Sequence, residues 1–425
     1  MDNLKTIALI LFLALYAGLL IYPKYRTWLA LLGAAIFTIL GISPWTQVTS
    51  MIDFNVLMMI GGTMGIVALF IESKMPAKLA DILIDRMPDV RWAVIVLALF
   101  AGVISAFVDN VATVLMVAPV AMDISRKLKI SPVNMIIAIA VSSNLQGAAT
   151  LVGDTTSILL GGYANMNFLD FFVYQGKPGL FWIVQLGAVL ATSTLLYTFR
   201  KNKEPIHLEE VTEVKDMFPT YLILGMITLL IFASFIENRP AVTNGFICML
   251  LMGIGLLRKY LREQDFTGIT GVLLQIDGET LGLLTGLFVV IGGISAVGVI
   301  SDISKAFVFL AKDNVFVIYT LLVWGSVFFS AFIDNIPYVA TMLPVVASIA
   351  ALMNIDPTLL YFGLLTGATL GGNLTPIGAS ANITAIGILR KAGYEPKTSE
   401  FMKIGVPFTL IAVTTGYLVI YFLFR

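Results

Sequence analysis

This 425-residue sequence has almost nothing to offer a soft metal: one cysteine, Cys248, and one histidine, His207. A single thiol excludes an internal disulfide and a thiolate-clustered metal site, and a single imidazole excludes a His-rich one. Charge is also scarce. Charged residues make up 12% of the chain, where a soluble domain carries about 25%, so there is too little polar surface to cover a fold in water. The 26 basic and 26 acidic residues cancel, and the net charge says nothing about partners. No phosphate loop, nucleotide-binding motif or catalytic triad spacing stands out. That argues against an ATP-driven pump or a membrane enzyme, and no catalytic residues are assigned.

What the chain has instead is apolar length. It is 58% hydrophobic, and windows of the roughly 20 residues needed to span a bilayer recur from end to end. These windows make it an all-α, multi-pass membrane protein. Residues 4–22, 27–42 and 56–71 read as helices, followed by a charged amphipathic connector, 72–91. The first window could also be a signal peptide; only Lys5 flanks it and no small-residue cleavage site follows, so a span is the preferred reading. Residues 92–122 are too long for one upright helix and too short for two full spans. Two half-length helices meeting at Asp109-Asn110, a re-entrant hairpin, fit that length. Residues 133–160 form a helix broken around Gly147 and Gly153, an aromatic interfacial stretch occupies 168–174, and 179–199 closes the first half.

The second half repeats this order. After a hydrophilic linker, 200–217, come helices 219–236, 241–257 and 281–300, a hairpin at 315–351, a broken helix at 359–389 and a closing helix at 404–424. Ser105, Asp109, Asn110, Pro119, Gly147, Thr150 and Gly153 fall on Ser330, Asp334, Asn335, Pro344, Gly372, Thr375 and Gly378, all at one offset of 225. An internal repeat with interrupted hydrophobic segments in matching places points to a transporter's binding site. The expected domains are repeat 1 at 1–199 and repeat 2 at 218–425, each with about five transmembrane helices plus a re-entrant hairpin, one of the helices being broken. With the N-terminus outside and both hairpins returning to the side they entered, all but six of the 26 Lys and Arg residues are cytoplasmic, as the positive-inside rule expects. The linker is then cytoplasmic, and an odd number of crossings makes the repeats inverted.

An ionisable residue at membrane depth marks an ion or substrate pathway by default. Asp109 and Asp334 are therefore the first candidates, with Asn110 and Asn335 beside them. Helix capping is the alternative role, and it is compatible with binding. An ionised aspartate can hold Na⁺ or take up a proton, and Na⁺ is placed at Asp109, Asn110, Asp334 and Asn335. The broken helices add hydroxyl, amide and backbone oxygens, which suit a hard cation. They contribute Asn144, Thr150, Gly153, Asp154 and Thr155 from the first, and Asn373, Thr375, Gly378, Ser380 and Asn382 from the second; Thr113 joins from the first hairpin. Asp154 has Ala379 as its repeat partner, so it could mark either a coupling-ion site or a substrate site. Asp53, Glu72, Glu237, Asp277 and Glu279 lie near span ends and read as solvated or interfacial.

The paired Asp-Asn turns, Asn144-Leu-Gln-Gly-Ala-Ala-Thr-Leu-Val-Gly-Asp154 and Gly371-Gly-Asn-Leu-Thr-Pro-Ile-Gly-Ala-Ser-Ala-Asn382 resemble those of the ion transporter superfamily. That group includes arsenite permeases, NhaD-type sodium/proton antiporters, the P protein, and citrate and dicarboxylate carriers. The resemblance implies a scaffold domain, a transport domain holding hairpins and broken helices, homodimerisation and elevator-like alternating access. Where the dicarboxylate carriers have Ser-Asn-Thr at their hairpin tips, this chain has Asp109-Asn110-Val111 and Asp334-Asn335-Ile336, which shifts weight away from dicarboxylates. The expected function is ion-coupled secondary transport in the cell inner membrane, foremost Na⁺/H⁺ exchange. Arsenite/antimonite efflux, citrate or dicarboxylate transport, and a gated channel are the alternatives. No cofactor is expected beyond Na⁺ or H⁺ as coupling ion. Expected partners are a small inorganic ion or small organic anion, membrane lipid and a second copy of the chain, with no nucleic acid. Re-entrance predicts that cysteines introduced at Lys78 and Lys127 react with an impermeant maleimide from the same side of the membrane; labelling from opposite sides would overturn it.

Overall fold

A bilayer offers no water to backbone amides, so apolar runs fold as helices that satisfy their own main chain. The computed structural model describes residues 2–205 and 212–425; His207 and the middle of the linker lie outside them. Among the described residues the only sheet is a two-residue ladder, Val173–Tyr174 against Lys177–Pro178, inside the aromatic interfacial stretch. Seven helices there are long and apolar enough to cross a membrane: Asn3–Ile21, Phe54–Glu72, Leu180–Thr198, Thr243–Glu263, Gly278–Ala296, Asn335–Met353 and Thr398–Phe424. The other expected crossings are shorter, Arg26–Ile39 and Phe218–Ser234, or interrupted, Val133–Gly147 with Thr155–Tyr163 and Thr358–Gly371 with Ser380–Lys391.

The repeat is visible in the element boundaries. The first hairpin runs Val90–Ser105 and Asn110–Leu128, and the second runs Val315–Ser330 and Asn335–Met353. All four boundary pairs differ by 225. The second halves of the broken helices begin at Thr155 and Ser380, again 225 apart.

Several expectations need correction. The hairpin arms are longer than half-helices: at 16 and 19 residues, each reaches about 24–28 Å at 1.5 Å per residue. The apolar run 92–122 understates them because Asp89 caps the first arm ahead of that run, accepting from the Trp92 N–H, and the second arm continues through charged residues to Lys129. Residues 281–300 are not one helix. The chain stops at Ala296, turns at Gly298 with φ of 83°, a conformation that favours glycine, and starts a second helix, Val299–Ala311. Its counterpart, Met75–Asp85, lies inside the charged connector. A short helix, Phe266–Leu273, was not anticipated; Asp265 caps it through the Thr267 N–H.

The helices sort into two packing groups. Asp2–Ile21, Arg26–Ile39, Phe54–Glu72, Phe218–Ser234, Thr243–Glu263 and Gly278–Ala296 pack mainly on one another. The hairpins, the broken helices, Leu180–Thr198 and Thr398–Phe424 form the second group. The far end of the linker is tied to the first group: Asp216 receives Arg258 at 2.5 Å and Arg262 at 3.1 Å. The Arg258 guanidinium beside it holds the Asp216 carboxyl below its ordinary range.

Within the second group, each break folds tightly onto a hairpin turn. A Cβ on Gly153 would lie 2.8 Å from the Ser105 and Ala106 carbonyl oxygens, and one on Gly378 2.8 Å from that of Ser330. Gly153→Ala and Gly378→Ala are therefore each expected to lose about 1–3 kcal/mol to overpacking. Gly225→Ala, in a helix with open space around it, should be neutral or gain up to about 1 kcal/mol. Thermal melting in detergent distinguishes these outcomes.

Candidate ion-binding site

Each hairpin turn is set by its aspartate. Asp109 Oδ1 accepts from the backbone N–H groups of Val111 at 3.0 Å and Ala112 at 3.2 Å, starting the second arm at Asn110. Asp334 Oδ1 accepts from the Ile336 N–H at 3.1 Å and starts the other arm at Asn335. The capping role is real at both positions, and it uses only one carboxylate oxygen of each.

The breaks are pinned to these turns by matched contacts. Thr150 Oγ1 donates to the Ala106 carbonyl, and Thr375 Oγ1 donates to the Ala331 carbonyl at 2.5 Å. The helix-end carbonyl of Gly147 accepts from Ser157 Oγ at 3.3 Å. That of Gly372 accepts from Asn382 Nδ2 at 3.0 Å, which also reaches the Thr375 carbonyl at 3.2 Å. Buried main chain that has left its helix is thus paired.

The two breaks cross at asparagine. Asn144 Nδ2 donates to the Thr369 carbonyl at 2.8 Å and to Asn373 Oδ1 at 3.1 Å, while Asn144 Oδ1 accepts from Asn110 Nδ2 at 3.0 Å. Asn373 Nδ2 in turn donates to the Val141 carbonyl at 2.8 Å. Asn144 and Thr369 are 225 residues apart, so they are repeat equivalents in direct contact.

Asp154 joins the first break to the second tip. It caps Thr155–Tyr163 by accepting from the Thr155 N–H at 2.8 Å, and its Oδ2 accepts from Thr156 Oγ1 at 2.7 Å and Asn335 Nδ2 at 3.5 Å. It is only 4% exposed. Thr156 also meets Thr369 Oγ1 at 2.9 Å.

These elements close around a cavity of about 240 Å³. Of the candidate residues, Asp109, Asn110, Asp154, Thr155, Asn335 and Ser380 line it. Thr113, Asn144, Thr150, Gly153, Asn373, Thr375, Gly378 and Asn382 do not; they are buried or near-buried and hold the turns and breaks in place. Asp334 is not in the lining either. Its Oδ2 accepts from Arg26 Nη1 at 2.6 Å and Ser380 Oγ at 3.4 Å. The wall opposite comes from the first packing group and includes Ile71, Gln275, Asp277 and Thr280. Asp277, read from sequence as solvated or interfacial, is half-buried at the start of Gly278–Ala296 and also lines this wall. Arg26 and Thr156 were also missed, and the signal available for Thr156 was its hydroxyl one turn into a half-helix beside Asp154.

A second cavity, about 890 Å³, lies at the opposite end of the helix pair Phe54–Glu72 and Gly278–Ala296. It meets Asp53 and Val56 at the start of the first helix and Phe288 to Ser295 near the end of the second, without either Asp-Asn turn.

A family model described as citrate transporter, CitMHS, matches residues 9–367 and 268–425. The chain belongs to the citrate transporter family. It is 30% identical to an uncharacterized transporter of Mycobacterium tuberculosis, over 96% of both chains. It is 27% identical to the P protein of Homo sapiens, over 97% of this chain and 59% of that one. Among solved structures it resembles the YdaH transporter of Alcanivorax borkumensis, with a TM-score of 0.59, 15% identity, and coverage of 91% of this chain and 87% of the other. MtrF of Neisseria gonorrhoeae gives 0.59, 12%, 91% and 83%; at such identities the likeness is one of fold. The superfamily resemblance read from the motifs stands, and this member of the citrate transporter family is a multi-pass membrane transporter. Asn144→Leu should leave Asn110 and Asn373 short of a partner and cost about 1–3 kcal/mol for each group stranded, read as a lowered melting temperature of the purified protein.

Proposed function

We propose that this chain is a cation-coupled secondary transporter that exchanges Na⁺ for H⁺ at Asp109 and Asp154. The observation that carries this reading is the lining of the smaller cavity. Among the described residues it includes three carboxylates, Asp109, Asp154 and Asp277, and no Lys, Arg or His. Amide and hydroxyl oxygens of Asn110, Thr155, Asn335 and Ser380 complete a set of hard donors suited to Na⁺. A carboxylate that binds either Na⁺ or a proton couples the two ions by competition, and the positive ends of the two half-helices beside it weaken the hold on a cation.

The two cavities support alternating access by an elevator movement. They sit at opposite ends of one antiparallel helix pair, so a sliding second group could carry the tips from one mouth to the other. Contact between the repeat equivalents Asn144 and Thr369 supports a two-fold relation between the repeats, as inversion requires. On the orientation read from basic residues, the cavity holding the tips opens towards the cytoplasm.

The family description favours a second reading, transport of citrate or another organic anion. Three carboxylates repel such a cargo unless protons or a bound cation screen them, so the anion would travel with its cation. A screen in proteoliposomes with imposed Na⁺ and pH gradients separates the readings: exchange predicts Na⁺-driven proton movement without organic substrate, whereas the second predicts none until citrate or a related anion is added. Asp109→Asn and Asp154→Asn are each expected to abolish coupled flux while the protein still inserts and stays monodisperse. Full coupled flux in both would remove these carboxylates from the mechanism.

A further inference from the structure

The closing helices of the two repeats, Leu180–Thr198 and Thr398–Phe424, lie side by side and antiparallel, with Gly187 against Ala412. The end of the first and the start of the second frame an open cavity of about 630 Å³. Its lining has three basic side chains, Arg200, Lys201 and Lys403, and among the described residues no acidic one. All three are exposed. Arg200 lies over the Tyr197 ring, 4.2 Å from its centre, a stacking that leaves the N–H edge of the guanidinium open. The opposite end of the same helix pair differs. There the cavity holds Lys177 and Arg425 together with Asp313 and Asp356, so its cations have acids beside them. Three converging cations without an acid leave a positive potential that an anion relieves. Deeper in the span the same surface turns apolar. Leu186, Val189 and Leu190 precede Ser193 at helical spacing, and Leu410 lies two turns past Lys403; all four are exposed, within helices long enough to cross a bilayer.

We propose that this cavity binds the headgroup of an anionic phospholipid, its phosphate held by Arg200, Lys201 and Lys403 and its acyl chains lying along the apolar seam. Basic pockets between membrane helices on the cytoplasmic side suit such headgroups, and on the orientation read from basic residues this end faces the cytoplasm. The guanidinium edge matches phosphate oxygens, and the two ammonium groups add charge. Tyr197 sits where an amphipathic ring favours the headgroup level. Ser193 and Thr194 donate their hydroxyl protons to carbonyls of their own helix, at 2.6 Å and 2.7 Å, which leaves lone pairs as acceptors. A glycerol headgroup has hydroxyls to donate to them, and a choline headgroup has none. The apolar seam favours a lipid over a free phosphate, which gains nothing from it. Both walls belong to the second packing group, so the cations keep their spacing when that group moves against the first. The site shares no residue with the cavity at the tips, and its occupant does not depend on the cargo.

The test uses the full chain in detergent, titrated with phosphatidylglycerol or phosphatidylcholine, with bound lipid counted by native mass spectrometry. Wild type should hold phosphatidylglycerol at least about tenfold more tightly than phosphatidylcholine. Arg200→Gln, Lys201→Gln and Lys403→Gln should each weaken phosphatidylglycerol about fivefold, and the triple variant on the order of a hundredfold, with phosphatidylcholine unchanged. Lys127→Gln removes an exposed charge from the same side outside the cavity and should change nothing. Equal retention of the two lipids by wild type overturns the proposal, as does a folded triple variant that binds like wild type. A loss in Lys127→Gln as large as in the single variants would reduce the effect to general surface charge and also overturn it. Displacement of the lipid by inorganic phosphate or glycerol 3-phosphate would mark a site for a soluble anion instead. If the triple variant does not fold, the three single variants decide on the same terms.

Discussion

Main chain that leaves a helix inside a membrane has no water to pair with, and the centre of this protein is organised by how that demand is met. Each broken helix gives a threonine hydroxyl to the turn of its own hairpin, Thr150 to Ala106 and Thr375 to Ala331. Each break also covers its own exposed carbonyl, through Ser157 in one repeat and Asn382 in the other. Turn and break therefore need one another. Neither would persist alone at that depth, because a stranded buried polar group costs about 1–3 kcal/mol.

On that shared skeleton the charges are not shared. Asp154 stands where the other repeat has Ala379, and Arg26 meets Asp334 while Asp109 faces a cavity that also holds Asp277. Burial of Asp154 against Thr156 and Asn335 makes that carboxylate a link between the repeats as well as a cavity wall.

Much of this was legible from the chain alone, for a physical reason. Glycine, asparagine and aspartate inside an apolar run are costly at membrane depth, so their presence at 109–110, 144–154, 334–335 and 371–382 marked turns and breaks that the structure contains. The constant offset of 225 reappears in helix starts and in hydrogen bonds. Arm length was not legible, because a helix capped by Asp89 outruns its apolar stretch. The turn at Gly298 was hidden for the opposite reason, since the apolar run continues through it.

What the residue order determined by itself was where the polypeptide must turn or unwind, since those costs are local and additive along a strip of apolar residues. Which carboxylates face a common cavity was settled only by tertiary packing. Arg26 lies 308 residues from Asp334, and Asp277 reaches the tips only because its helix docks beside them. Electrostatic pairing depends on distance through space, and no periodicity in a single sequence encodes that distance.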